Sequence, residues 1–202
     1  MKKNWKKRIK WSVKYAYGII NAWLSDVKIG KRVYIGRRFK HNVREAGVVV
    51  IGNDVEISHD TTFLTLLPDS QIILHDNISI HHHFQINCAR LVEIKSHVII
   101  APYVFLCDHN HKFEDVSCPI KGQGIDMKPD THIIIDEGSW IGTKVTVLGK
   151  VHIGKHCVIG SNSVVTKDIP DYSIAAGIPA KVIKRYNFTT QQWEKVSSAK
   201  NA

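Results

Sequence analysis

From Thr131 to Val165 the chain repeats every six residues, and no other feature constrains its fold as tightly. Ile135, Ile141, Val147, Ile153, Ile159 and Val165 stand at that interval. The residues that follow them are Asp136, Gly142, Leu148, Gly154, Gly160 and Thr166. Four places after the first five stand Ser139, Val145, Val151, Cys157 and Ser163, all small or β-branched. An α-helix repeats at about 3.6 residues and a half-buried strand at about 2, so six fits neither. It fits a short flat strand followed by a turn. The aliphatic residue points into a narrow prism and stacks on its equivalents in neighbouring coils, and the small residue lets the chain turn the corner. One coil cannot bury its own apolar side, so several must stack.

The same interval returns upstream with interruptions. Ile29 and Ile35 are one run, and Ile51, Ile57 and Phe63 a second. Leu74, Ile80 and Ile86 are a third, and Ile94, Ile100 and Leu106 a fourth. Two segments fall out of register. Residues 107–131 contain no hexapeptide and several Gly and Pro, and a loop of this length in a compact solenoid is commonly functional. Residues 1–26 hold seven Lys/Arg within the first fourteen positions and no acid before Asp26. They fit a helix carrying Trp5, Ile9, Trp11, Tyr15, Ile19 and Trp23.

Composition narrows the partners. The chain has 202 residues, a formal net charge of +10 and a pI near 9.5. That charge attracts anions such as acidic lipid, nucleic acid or a phosphorylated cofactor. No helix-turn-helix or RNP-like motif accompanies it, so nucleic acid is not the expected partner. The aromatic, basic N-terminus suits peripheral contact with a membrane surface. Cys88, Cys107, Cys118 and Cys157 show neither C-x-x-C nor zinc-finger spacing, and no secretory leader is evident. Reduced thiols in a cytoplasmic protein, with the inner face of the membrane within reach, are the expectation.

The repeat resembles the left-handed β-helix of the hexapeptide-repeat acyltransferases over about residues 27–185. The fold it implies is all-β: a left-handed parallel β-helix with an N-terminal helix, a protruding loop and a short C-terminal helix. The expected organisation is a helical segment at 1–26, the acyltransferase domain at 27–185 with its extended active-site loop at 107–131, and a tail at 186–202. In the galactoside and maltose O-acetyltransferases an I-A-P-x-V hexapeptide precedes the loop with the catalytic His. Here Ile100, Ala101, Pro102, Tyr103 and Val104 match it. An ungapped count from Ala101 puts His111 at the catalytic position, with His109 two residues early as second choice. Asp108 can orient an imidazole. Asp108-His109-Asn110-His111 also resembles the D-H-x-H element of enzymes acting on O-antigen and capsule sugars.

Further carry-overs follow from the same resemblance. Residues 166–185, TKDIPDYSIAAGIPAKVIKR, closely resemble the segment that ends the acetyl-CoA-binding coils. Thr143, Ser161, Thr166, Lys167, Ala176, Gly177, Lys181 and Lys184 fall at cofactor-contacting places, and Trp140 lines the same cleft. His81, His83 and Asn87, one coil above the loop, are the acceptor candidates; His81 stands where the galactoside enzyme has Asn. Alternation along a strand would turn His81 and His83 to one side. The implied function is acetyl-CoA-dependent O-acetyl transfer to a sugar or glycan hydroxyl, direct and metal-free, in a homotrimer whose subunits share each cleft. Three rivals remain. One is N-acyl transfer to a nucleotide-linked amino sugar. A second is a γ-class carbonic-anhydrase-like metalloprotein, although the loop gives H-x-H rather than the H-x-x-x-x-H that zinc there needs. The third is a scaffold without catalysis.

Overall fold

The structure, a computed structural model, describes residues 27–43, 47–126, 128 and 130–196. Six coils follow one another along the chain. The first is β1 (Lys28–Ile29), β2 (Tyr34–Ile35) and β3 (Lys40–Val43); the second is β4 (Val48–Ile51), β5 (Glu56–Ile57) and β6 (Thr62–Thr65). The third is β7 (Gln71–Leu74), β8 (Ser79–Ile80) and β9 (Gln85–Cys88); the fourth is β10 (Leu91–Ile94), β11 (Ile99–Ile100) and β12 (Phe105–Cys107). The inserted loop then carries β13 (Asn110–His111), a one-turn helix α1 (Ile120–Gln123) and β14 (Ile125–Asp126). The fifth coil is β15 (Ile133–Ile135), β16 (Trp140–Ile141) and β17 (Thr146–Leu148); the sixth is β18 (Val151–Ile153), β19 (Val158–Ile159) and β20 (Val164–Val165). β21 (Ser173–Gly177), β22 (Ala180–Asn187) and β23 (Gln192–Lys195) close the described chain. Each strand of the six coils pairs in parallel with its equivalent one coil away, so the prism has three sheet faces.

The predicted aliphatic series is the core. Ile51, Leu74, Ile94, Ile135 and Ile153 are in register on the first face. Ile35, Ile57, Ile80, Ile100, Ile141, Ile159 and Ala175 are in register on the second. Phe63, Ile86, Leu106, Val147 and Val165 are in register on the third. All are buried. At about 1.5–3 kcal/mol for each large aliphatic side chain taken from water, these columns are the main favourable term in the fold.

The corners are made differently from the expectation. The residue that turns is in the left-handed region and is mostly not glycine. Asp54, Asn77, His97, Gly138, His156 and Tyr172 form one ladder, and Asp60, His83, Tyr103, Lys144 and Asn162 another. Each donates its N–H to a carbonyl one coil back, as Asn77 does to Asn53 at 2.9 Å and Asn162 to Thr143 at 2.9 Å. That bond offsets the strain of a positive φ. The small residues fill the inside of the corner instead. Buried Ser139 donates to the Gly154 carbonyl at 2.8 Å and accepts from the Cys157 N–H at 2.9 Å.

Two other expectations need comment. The short C-terminal helix is, among the described residues, an antiparallel sheet extension: β22 pairs with β21 and β23 with β22. Ala180, Val182 and Lys184 are half-buried while Lys181, Ile183 and Arg185 are exposed, the period of a strand. Tyr186 packs edge-on against Trp193 and Phe188, with ring centres 5.4 and 5.1 Å apart, which favours the strand pair further. The expected boundary at residue 185 falls inside β22. The expected helix at residues 1–26 lies outside the described residues. Among those described, no helix is long and apolar enough to cross a membrane.

Candidate active site

The loop leaves the prism at the end of β12 without disturbing the stack: Phe105 is still in register with Thr146, and Val92 with Ile133, across the insertion. Its base is held by Asp108. This carboxylate is fully buried and accepts backbone N–H groups from Ala89 at 2.8 Å, Arg90 at 2.8 Å and Leu91 at 3.1 Å. Those amides lie where the third coil passes into the fourth, so one side chain staples the loop to the solenoid. Burial works against the Asp108 charge, but His109 and the amides outweigh it and hold its carboxyl below the usual range.

His109 Nδ1 lies 3.0 Å from Asp108 Oδ1, and the ring is buried. The Cys107 sulfur lies 3.7 Å from the same nitrogen. Burial lowers the affinity of His109 for a proton, yet the hydrogen bonds to Asp108 and Cys107 prevail and raise it to about 9. At neutral pH His109 is therefore an imidazolium. A group already carrying its proton is a poor general base and a good positive charge.

His111 differs. It lies on β13, which pairs antiparallel with β14 so that His111 sits opposite Ile125, and its side chain is exposed. Among the described residues nothing hydrogen-bonds its ring. The imidazole beside Asp108 is that of His109. The rest of the loop is folded on itself: Gln123 donates to the Asp115 carbonyl at 2.8 Å and to the Cys118 carbonyl at 3.1 Å. Asn87 reaches the loop base, since its main chain lies beside Cys107 and its carbonyl faces the Asp108 N–H. His81 and His83 do not alternate along a strand. They sit at a corner, with His83 in the left-handed region, because β8 ends at Ile80 and the chain must turn there.

The cofactor candidates divide into two groups. Thr143 and Ser161 follow the second-face strands β16 and β19 and stack one coil apart at a single corner. Ala176 and Gly177 end β21 beside Gly160, where Ala176 Cβ lies 2.9 Å from the position a Gly160 Cβ would take. Lys181 pairs with Ala176, and Lys184 with Ile174. Thr166 and Lys167 stand apart from these, past the end of third-face β20. Ala175 is fully buried and ends an inward column, so it is core rather than cleft wall. Trp140 is half-exposed on the second face between Ile99 and Val158, not on the face from which the loop departs. Among the described residues no group of three His, Cys, Asp or Glu is placed to hold a metal ion.

Sequence reasoning missed the Asp108 staple, the Cys107 contact and a stack of rings formed by His59, His82, His83 and Tyr103. Only the last had a signal: histidines recurring one coil apart at matching corner positions.

Comparison with known proteins completes the picture. The model of the bacterial transferase hexapeptide (six repeats) matches residues 132–167. A Mycobacterium tuberculosis protein named a probable acetyltransferase is 36% identical over 179 residues, which cover 89% of this chain and 49% of that one. The galactoside O-acetyltransferase of Escherichia coli is 40% identical over 170 residues, covering 83% of this chain and 62% of the enzyme. The chain thus spans about half to two thirds of these relatives. Among solved structures, the hexapeptide-repeat acetyltransferase VCA0836 of Vibrio cholerae complexed with acetyl-CoA superposes with a TM-score of 0.55 at 18% identity, over 90% of this chain and 85% of that one. At that identity the likeness concerns the fold alone.

Proposed function

We propose, for a chain that belongs to the hexapeptide-repeat acyltransferase family, that it transfers an acetyl group from acetyl-CoA to a hydroxyl of a sugar or glycan. The observation that carries this reading is the pair of unlike histidines at the loop base: His109 charged and fixed by Asp108, His111 exposed on β13 with no hydrogen bond to its ring among the described residues.

The roles follow from that contrast. His111 Nε2 or Nδ1 takes the proton of the acceptor hydroxyl as its oxygen attacks the thioester carbonyl. One tetrahedral intermediate forms. Its collapse re-forms the carbonyl, breaks the carbon–sulfur bond and releases coenzyme A thiolate, which recovers the proton from His111. The charge of His109, close by and poorly screened, stabilises the negative oxygen or holds the loop that carries His111. Asn87, beside the loop base, fits a contact to the acceptor.

The donor fits the strip at the end of the solenoid. Small residues Ala176 and Gly177 leave space along the backbone, half-buried Thr143 and exposed Ser161 offer hydroxyls, and Lys181 with Lys184 supplies positive charge for phosphates. Trp140 and the loop occupy different faces of one chain, which favours a homotrimer in which a neighbour brings them to a shared cleft. The reaction belongs in the cytoplasm, where acetyl-CoA is made.

The test is product analysis with acetyl-CoA and a panel of sugars. An alkali-labile acetate ester is expected. An amide formed only on amino sugars would replace this reading with the N-acyl rival, and release of coenzyme A without any acetylated product would sink both.

A further inference from the structure

The corner between the second and third faces of the first four coils carries a run of basic and aromatic side chains that the site described above does not use. In order they are Arg37 and Arg38, His59, His82 and His83, and Tyr103. The rings are stacked. His59 lies flat on His82 with centres 5.1 Å apart and planes at 2°, and His83 lies on Tyr103 at 4.7 Å and 19°. His82 meets Tyr103 edge-on at 5.3 Å. At the foot of this column is a hollow of about 130 Å³ lined by Tyr34, Arg37, Arg38 and His59.

Charge separates this hollow from its neighbours. A hollow of about 220 Å³ on the first corner is lined by His75, Lys95, Ser96, Asp136, Glu137 and Lys155, and mixes both signs. A second, also about 220 Å³, contains Asp54 and Glu56. No carboxylate lines the basic hollow. The nearest acid, Asp60, is already bound by the Arg38 guanidinium and by His59 Nδ1 at 2.6 Å. Arg37 makes no ion pair among the described residues. A guanidinium without a counter-charge, beside an imidazole whose orientation an acid has fixed, is a receptor for a phosphate oxygen pair. The flat rings above it offer a face on which a sugar or base can stack. From the column, the third face leads through Gln85 and Asn87, joined by a 2.9 Å hydrogen bond, to Asp108 at the loop base.

We propose that this corner binds the carrier end of the acceptor: a diphosphate seated in the hollow on Arg37 and His59, with the attached sugar laid across the ring column towards the loop. The substrate class is therefore a diphosphate-linked sugar rather than a free one. The inference rests on the transferase reading for its direction, but the anion site is measurable without any turnover.

The probe is inorganic pyrophosphate, titrated calorimetrically into the full chain at low salt. The wild type is expected to bind it, and Arg37→Ala to weaken it by about tenfold or more, the worth of one charge-assisted bond. Arg37→Lys should restore part of the loss. Coenzyme A affinity should be unchanged by Arg37→Ala. Lys181→Glu combined with Lys184→Glu should do the reverse, weakening coenzyme A while leaving the Arg37-dependent part of pyrophosphate binding intact. Displacement by uridine diphosphate, or by vesicles carrying a polyprenyl diphosphate, then identifies a soluble or a lipid carrier. Pyrophosphate affinity indifferent to Arg37→Ala, no binding to the wild type, or displacement by neither competitor would each overturn the proposal. Loss of the transferase reading would show elsewhere, as no acetylated product with Arg37-dependent binding intact.

Discussion

The coils after Thr131 and the loop before them are made on opposite principles. In the coils every sixth side chain is aliphatic, fully buried and in register with its neighbours, and little else about the sequence matters locally. In the loop most side chains are exposed, and one carboxylate, Asp108, anchors the base through three backbone amides, the Cys88 thiol and the His109 ring. The coils spread their stability over many equivalent contacts, and the loop concentrates its position in a few polar ones. A scaffold of the first kind can carry an insertion of the second kind without losing register, and it does.

That contrast can be broken most severely from the scaffold side. Ile153→Asp puts a carboxylate into a prism with no polar partner, costs several kcal/mol, and should leave no cooperative thermal transition. A folded Ile153→Asp protein with wild-type circular dichroism would contradict the buried column.

From the loop side the expected loss is smaller. Asp108→Asn removes a charged acceptor from three amides and the partner of His109, at about 1.5–3 kcal/mol. Amide exchange at Ala89, Arg90 and Leu91 should speed up while the fifth and sixth coils stay protected. The pH dependence sharpens this. His109 binds its proton more tightly in the folded chain than its ordinary value near 6.5. The stability it supplies is complete below about 6.5 and is lost as pH rises through about 9. Denaturant midpoints should therefore fall between those values in the wild type and stay flat in His109→Gln. An equal slope in both would assign the effect to another group.

Smaller still is the cofactor strip. Lys181→Glu with Lys184→Glu should weaken coenzyme A about tenfold or more in calorimetry, and shift stability by no more than about 0.5 kcal/mol, because both lysines lie on the outer sheet extension. Smallest is Lys155→Asp, an exposed change two residues from Ile153. It should cost less than about 1 kcal/mol. A large loss there would mean that outward positions, too, bear the fold.

How much was legible follows the same division. The inward columns were readable because a period survives in one dimension. The corners were not, since the turning residue is Asp in one coil, His in the next and Tyr in a third, and any of them serves once a carbonyl one coil back takes its N–H. His81 and His83 were misread for that reason: alternation belongs to strands, and β8 had already ended. The C-terminal sheet extension was hidden by the likeness to a family segment, although Lys181 to Arg185 alternates as a strand does. At the loop, the residue types singled out His109, His111 and Asp108, but the backbone partners of Asp108 were invisible, because the amides of Ala89 to Leu91 are brought to it only by the stacking of coils.

The direct test of the central claim is to compare turnover of His111→Ala and His109→Ala with acetyl-CoA and an accepted sugar, alongside the thermal midpoint of each. The account predicts that His111→Ala loses about 10²–10⁴-fold in kcat with an unchanged midpoint. It predicts that His109→Ala keeps more activity and is less stable at neutral pH. A His111→Ala enzyme with near-wild-type turnover, beside an inactive His109→Ala, would contradict it and make the buried histidine the base.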